Sequence, residues 1–192
     1  MKSSFLFDGM LGRLCRKMRL LGYDARLAGA GESPRLLLDA EREGRVAVTA
    51  SIRRSDRPGP AQIVLRRTGL AAQVAELFGA LRSRTGEPPL LEPFTRCLEC
   101  NVPLEAVPAK EVSGAVPERI LDRCDRYVQC PSCRRIYWEG SHWEAMRGQV
   151  SRLSARLAAE RLIADPAHPR IRRSADGGEH PAEGADGRHE RD

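Results

Sequence analysis

SFLFDGMLGRLCRKMRLLGYDARL, residues Ser4–Leu27, reads as strand, acid, helix and strand in turn. Ser4 to Phe7 is short and apolar, the pattern of a buried strand, and Asp8 ends it. From Gly9 to Leu21 the spacing becomes helical. Met10, Leu11, Leu14, Met18 and Leu21 share one face, while Arg13, Arg16 and Lys17 lie largely off it. Gly22 supplies a helix stop, because glycine adopts the left-handed conformation that ends helices. Tyr23 to Leu27 then predicts a second strand.

The alternation continues downstream. Ser33 and Pro34 suit a helix cap and first turn, predicting a helix to Glu43 that Gly44 ends. Arg45–Thr49 (RVAVT) and Gln62–Leu65 (QIVL) predict two more strands, separated by a loop at Arg53–Pro60. Leu70 to Leu81 is helical by its period. Strands alternating with helices imply an α/β domain with a short parallel sheet and right-handed crossovers. This first domain is expected over 1–82, a linker over 83–93 and a cysteine-bearing segment over 94–147. A C-terminal helix is expected over 148–164, beginning near His142. The tail over 165–192 lacks apolar periodicity and is expected to be disordered, with His180 and His189 solvated.

The totals limit the functional classes. The chain has 192 residues and a net charge of +6, with 41% hydrophobic residues. That balance fits a globular protein and favours a polyanionic partner, RNA or DNA before acidic membrane. No stretch approaches the roughly 20 apolar residues of a membrane span, and no secretory leader is visible. The expected location is therefore the cytoplasm, where thiols stay reduced. Aromatics are only 5% of the chain, so the core is expected to rest on Leu, Val, Ala and Ile.

Six cysteines in a reducing compartment point to metal ligands before disulfides. Cys97-Leu-Glu-Cys100 and Cys130-Pro-Ser-Cys133 are two C-x-x-C knuckles. Each brings two thiolates onto one cation from a tight turn, and four thiolates make a closed tetrahedral Zn²⁺ site. The gap between the knuckles exceeds the common spacing of roughly 15–20 residues and is expected to form a loop or hairpin. Cys15 is expected in the core of the first helix, and Cys124 as a plain thiol. Phe94, Tyr137, Trp138 and Trp143 flank the knuckles; covering the metal site is the favoured role, with stacking on bases the other. His142 is read as a residue of the last helix, since the zinc shell is complete without it.

In an open parallel sheet, sites form at the carboxyl ends of strands. Asp8 stands at such an end. Two roles suit it there: a ligand for Mg²⁺ or Mn²⁺, or the cap of the helix that follows.

The segment FLFDGMLGRLCRKMRLLGYDA (Phe5–Ala25) resembles the opening of the Mutator-seven C-terminal RNase domain family. AEREGRVAVT (Ala40–Thr49) extends the resemblance. PFTRCLECNVPLEAV (Pro93–Val107), VPERI (Val116–Ile120) and CPSCRRIYWEGSHWEAM (Cys130–Met146) are similar to its zinc ribbon. The resemblance spans roughly residues 4–147. It implies a PIN-like three-layer domain fused to a four-cysteine zinc ribbon, with metal-dependent ribonuclease activity on RNA. It places Asp8 at the family's first acidic position and the four cysteines at its zinc ligands.

Two positions depart from the family pattern. Ser51 stands where an acid is expected in Thr49-Ala50-Ser51. Ser33 stands near another such position, with Glu32 beside it as the substitute. The expected catalytic set is therefore Asp8 and Glu32. Asp39 falls about 9 Å further along its helix and is read as solvated, while Asp56 lies in the loop after the third strand. Arg13, Arg16 and Lys17, with Arg53, Arg54 and Arg57 nearby, form the expected nucleic-acid groove. The alternative is a catalytically degenerate RNA-binding or protein-interaction module, because Ser is a weak neutral ligand for Mg²⁺.

Overall fold

A computed structural model describes residues 3–29, 32–51 and 61–163. The expectations for the 165–192 tail and for Arg53, Arg54, Asp56 and Arg57 lie outside the described residues.

Three residues of continuous burial, Phe5–Phe7, form β1. After a single 3-10 turn, α1 runs Gly12–Leu20. β2 is Ala25–Leu27, α2 Leu36–Arg42, β3 Val46–Thr49, β4 Gln62–Val64 and α3 Leu70–Thr85. The four strands pair in parallel in the order β2-β1-β3-β4. Alternation along β1 divides the packing between the two faces of the sheet. Phe5 and Phe7 join the larger core with α1 and α3, whereas Leu6 packs with Ala28, Leu36, Ala40 and Ala47 beneath α2. The result is the expected three-layer α/β arrangement.

Aromatics contribute more to the core than their low share of the chain implies. All four phenylalanines are buried. Phe5 lies against both Phe7 and Tyr23, and Tyr23 against Phe78, with ring centroids 5.6–5.8 Å apart.

The cysteine-bearing segment forms a three-stranded antiparallel sheet of β5 (Glu105–Val107), β6 (Tyr127–Gln129) and β7 (Ile136–Trp138). The insert between the knuckles holds two short helices, α4 (Ala109–Val112) and α5 (Glu118–Leu121), rather than a plain loop. They close a small core of Val112, Val116, Cys124 and Tyr127. Cys124 thus packs inside, its thiol donating to the Glu139 carbonyl at 3.4 Å. Cys15 is also buried and donates to the Ala25 carbonyl at 3.3 Å.

The last helix, α6 (Ser141–Ala159), crosses the expected 147/148 boundary unbroken and packs back onto the first domain. Val150, Leu153 and Leu157 share one core with Val74, Leu77 and Phe78. Leu162 follows a non-glycine left-handed stop at Arg161 (φ 55°) and reaches Gly79. No sequence punctuation marks that stop.

Gly22 is where the segment before the knuckles docks on α1. The Gly22 and Tyr23 amides bond to the Arg19 and Met18 carbonyls, closing α1 with Gly22 at φ 85°. A β-carbon at Gly22 would lie 2.0 Å from the Glu92 carbonyl oxygen. The chain of the expected linker docks there: Glu92 and Phe94 donate their amides to the carbonyls of Leu21 and Leu20. The linker is thus tied to α1, and its first residues continue α3 to Thr85.

Candidate metal centre and acidic edge

The two knuckles fold alike because their backbone bonds repeat. Cys97 donates its amide to the Val102 carbonyl at 2.9 Å, and Cys130 to the Arg135 carbonyl at 3.0 Å. Asn101 and Arg134, each directly after the second cysteine, take left-handed conformations (φ 66° and 60°). Within each loop the later cysteine's amide points at the earlier sulfur, Cys100 at Cys97 (3.4 Å) and Cys133 at Cys130 (3.5 Å).

All four Sγ atoms lie within 4.8 Å of one another, and those of Cys97 and Cys133 are 3.7 Å apart. A tetrahedral ion with sulfur at about 2.3 Å sets sulfurs roughly 3.8 Å from each other. The cysteines are therefore positioned to hold one metal ion.

Burial opposes ionisation of Cys97. Amide hydrogen bonds, chiefly from Cys100, and the Tyr137 hydroxyl nevertheless draw its thiol down to about 6. Cys100 is pushed up to about 12, first by its hydrogen bond with Cys133, and burial pushes Cys130 up as well. One thiolate forms readily while Cys100 and Cys130 resist, which is the behaviour of a cluster that needs a cation to ionise fully.

Side chains lock this cluster to the first domain. Arg19 donates to the carbonyls of Leu98 (2.8 Å) and Glu99 (2.6 Å). The Asn101 side-chain oxygen accepts from the Ala25 amide at 2.9 Å, and its nitrogen donates to Asp24 at 2.8 Å. Asp24 also pairs with Arg45, and Arg96 stands 3.7 Å away. Burial alone would raise the Asp24 carboxyl, but the Arg45 and Asn101 hydrogen bonds and nearby guanidinium charge hold it below its ordinary value.

The second site lies beyond the opposite end of α1. Asp8 is 4% exposed, and its amide donates to the Val48 carbonyl at 2.8 Å, fixing it at the carboxyl end of the sheet. Its side chain makes no cap bond to the turn that follows. Instead the Thr49 hydroxyl donates to Asp8 Oδ2 at 2.7 Å, and Thr49 Oγ1 accepts from the Ser51 amide at 3.1 Å. The relay from Ser51 through Thr49 orients the carboxylate. Sequence reasoning gives Thr49 no role; the available signal is a hydroxyl ending an otherwise apolar strand.

Glu32 follows β2, the strand beside β1. It accepts from the Gly29 amide and from Arg26, the latter at 3.0 and 3.3 Å. The Gly29 hydrogen bond, then Arg26, lower its carboxyl below the ordinary value. Asp39 is 3.9 Å from Arg42 on the same helix.

The three basic residues of α1 separate. Arg13 is exposed, Arg16 pairs with Glu99 beside the first knuckle, and Lys17 donates to Gln149 of α6 at 3.2 Å. Among the flanking aromatics, Phe94 and Trp143 are buried and 5.2 Å apart, whereas Tyr137 and Trp138 are half-buried. His142 is exposed at the start of α6 and is not among the grouped metal ligands.

Residues 3–150 match the Mut7-C RNAse domain family, a span that takes in the acidic edge and both knuckles. The chain belongs to that family. Within the Mut7-C RNAse domain, the PIN-like α/β layer carries Asp8 and the appended ribbon carries the cysteines. No curated protein and no solved structure matches the chain. Among the described residues, no helix is long and apolar enough to cross a membrane.

Proposed function

We propose that this protein is a metal-dependent ribonuclease that hydrolyses RNA phosphodiesters at the Asp8 edge, with zinc in the four-cysteine cluster as a structural ion. The observation that carries the reading is a buried carboxylate at the carboxyl end of a central parallel strand, oriented by Thr49, in a chain of the Mut7-C RNAse domain family. Four thiolate donors suit zinc, and a complete four-sulfur shell leaves no open coordination position for chemistry.

The acidic edge fits a hard cation held through one or two carboxylates, with water and the substrate's phosphate completing its shell. Asp8 is the first ligand in this reading and Glu32 the second. Magnesium or manganese supplies Lewis acidity toward the scissile phosphate. The protein's own part is to present Asp8 in a fixed orientation, to shield it from bulk water and to admit a phosphate beside it. The exposed Arg13 would help to hold RNA by charge.

A second reading has its own support. Glu32 is tied up in an ion pair with Arg26, and Ser51 brings no charge, so an edge resting on Asp8 would hold a catalytic cation weakly and the chain's basic residues would bind RNA without cleaving it. Zinc-loaded protein with Mn²⁺ is expected to cut single-stranded RNA, and Asp8→Asn to cut at background. Equal cutting by both rejects the nuclease reading. RNA binding without cleavage, converted to cleavage by Ser51→Asp, supports the degenerate module.

A further inference from the structure

Between the start of α6 and the turn before β6 lies a polar cavity of about 360 Å³ that neither proposed metal site uses. Arg123, Arg126 and Arg147 line it with Asp125, Glu139 and Trp143. Arg126 stands 3.9 Å from Glu139 and is already engaged. Arg123 and Arg147 have no ion-pair partner among the described residues; Arg147 lies 5.1 Å from the centroid of the Trp143 ring. Trp143 is 6% exposed, and its indole N–H finds no acceptor. A buried donor without an acceptor is costly, and unpaired guanidiniums beside it add positive potential. The cavity thus sets three guanidiniums against two carboxylates, Asp125 and Glu139, and leaves Arg123 and Arg147 able to take a phosphate bidentately.

Trp143 is also a wall of an adjoining apolar cavity of about 230 Å³, lined by Phe94, Tyr137, Trp138 and Met146 among others. That volume is below the roughly 300 Å³ at which drug-sized sites begin, and suits one planar ring system. Glu139 Oε1, the oxygen that stands 3.9 Å from Arg126, is buried and accepts no hydrogen bond. A phosphate cannot satisfy it, but a sugar hydroxyl can.

We infer that these two cavities, which share Trp143 as a lining residue, together bind one nucleotide unit of single-stranded RNA, phosphate on Arg123 and Arg147, base in the aromatic cavity, and ribose hydroxyl on Glu139. The inference rests on the RNA-directed reading above and adds a second contact. Leu20 lines the aromatic cavity at the end of α1 away from Asp8, about 12 Å along the helix from Gly12 at ~1.5 Å per residue. An RNA strand anchored at the ribbon would be steered along α1 toward the acidic edge.

Trp138 and Trp143 are the chain's two tryptophans and both line the aromatic cavity, so their fluorescence reports on it directly. The test is titration of the full, zinc-loaded chain with a single-stranded RNA oligonucleotide, without magnesium or manganese. The expected result is saturable quenching that weakens with salt. Arg123→Glu with Arg147→Glu should raise Kd at least about tenfold and flatten the salt slope by ~0.7 for each phosphate no longer held. The paired Lys variants should recover most of the affinity, and Glu139→Gln should narrow the preference for RNA over DNA.

A charge-reversed protein with unchanged circular dichroism and metal content that binds RNA as tightly as the parent overturns the anchor. So does quenching by polyglutamate in place of RNA, which would make this a protein-docking site. If Asp8-dependent cleavage persists while quenching is absent, the anchor alone fails. If the chain neither binds nor cleaves RNA, both readings fail.

Discussion

The cysteine cluster and the acidic edge stand at opposite ends of α1 and are built on contrasting plans. The cluster has every ligand it needs on two loops of repeated geometry, and it is bonded to the sheet domain through Arg19, Asp24 and Asn101. The acidic edge has one buried carboxylate and one hydroxyl that orients it, and the second carboxylate proposed for it, Glu32, is held by an arginine. A closed metal shell must be complete within the folded chain, because its ion contributes to folding itself. Under the proposed nuclease reading, the acidic edge is an open site that can be left short of ligands, because the substrate brings some of its own. Damage at the ribbon end is therefore expected to spread through the molecule, and damage at Asp8 to stay local.

The sharpest way to break this contrast is Cys130→Ser. It is expected to cost bound metal and the cooperative fold of the ribbon, against a metal contribution on the order of 10 kcal/mol in small zinc domains. Elemental analysis with thermal unfolding reads it; full metal content and an unchanged Tm would remove the distinction. Gly22→Ala comes next. Its β-carbon meets the Glu92 carbonyl at a positive φ, so a loss of about 3 kcal/mol or more is expected. Denaturant unfolding should show it, while Gly44→Ala, with open space around it, should cost less.

Asp24 tests the junction through pH. Its folded value is depressed, so its contribution is fully present above the unfolded value near pH 4 and is lost as pH falls through the folded value. Asp24→Asn should lower neutral stability by about 1–3 kcal/mol and flatten the acid limb of the stability curve. An acid limb identical to the parent's would show that the carboxylate plays no part in docking. Thr49→Val should cost about 1–2 kcal/mol in stability, leave metal content intact and reduce cleavage. Thr49→Ser, which keeps the hydroxyl, should restore cleavage. The smallest effect is expected at Arg16→Ala: its pair with Glu99 is half-exposed on both sides, worth under about 1 kcal/mol after solvent screening.

The same contrast explains what the sequence made legible. The knuckles announce their chemistry through spacing alone, since two C-x-x-C pairs have few other uses in one chain. The strand–helix alternation is equally plain, because burial repeats every two or about 3.6 residues. Thr49 is harder, because its role depends on a residue 41 positions away in the chain that only the sheet register brings beside it. Arg16 and Lys17 read as a groove for RNA in the sequence, whereas in the fold the ribbon and α6 supply Glu99 and Gln149 as their partners. The stop at Arg161 carries no glycine signal. The insert helices are four residues each, shorter than any period can reveal. Non-local partners and short elements are the information that a linear pattern lacks.

The most direct test of the account is anomalous diffraction from a crystal of the zinc-loaded protein soaked in Mn²⁺. A zinc signal among Cys97, Cys100, Cys130 and Cys133 together with a manganese signal beside Asp8 is the predicted result. Zinc at the cysteines with no manganese near Asp8, even with a bound oligonucleotide phosphate, would contradict it.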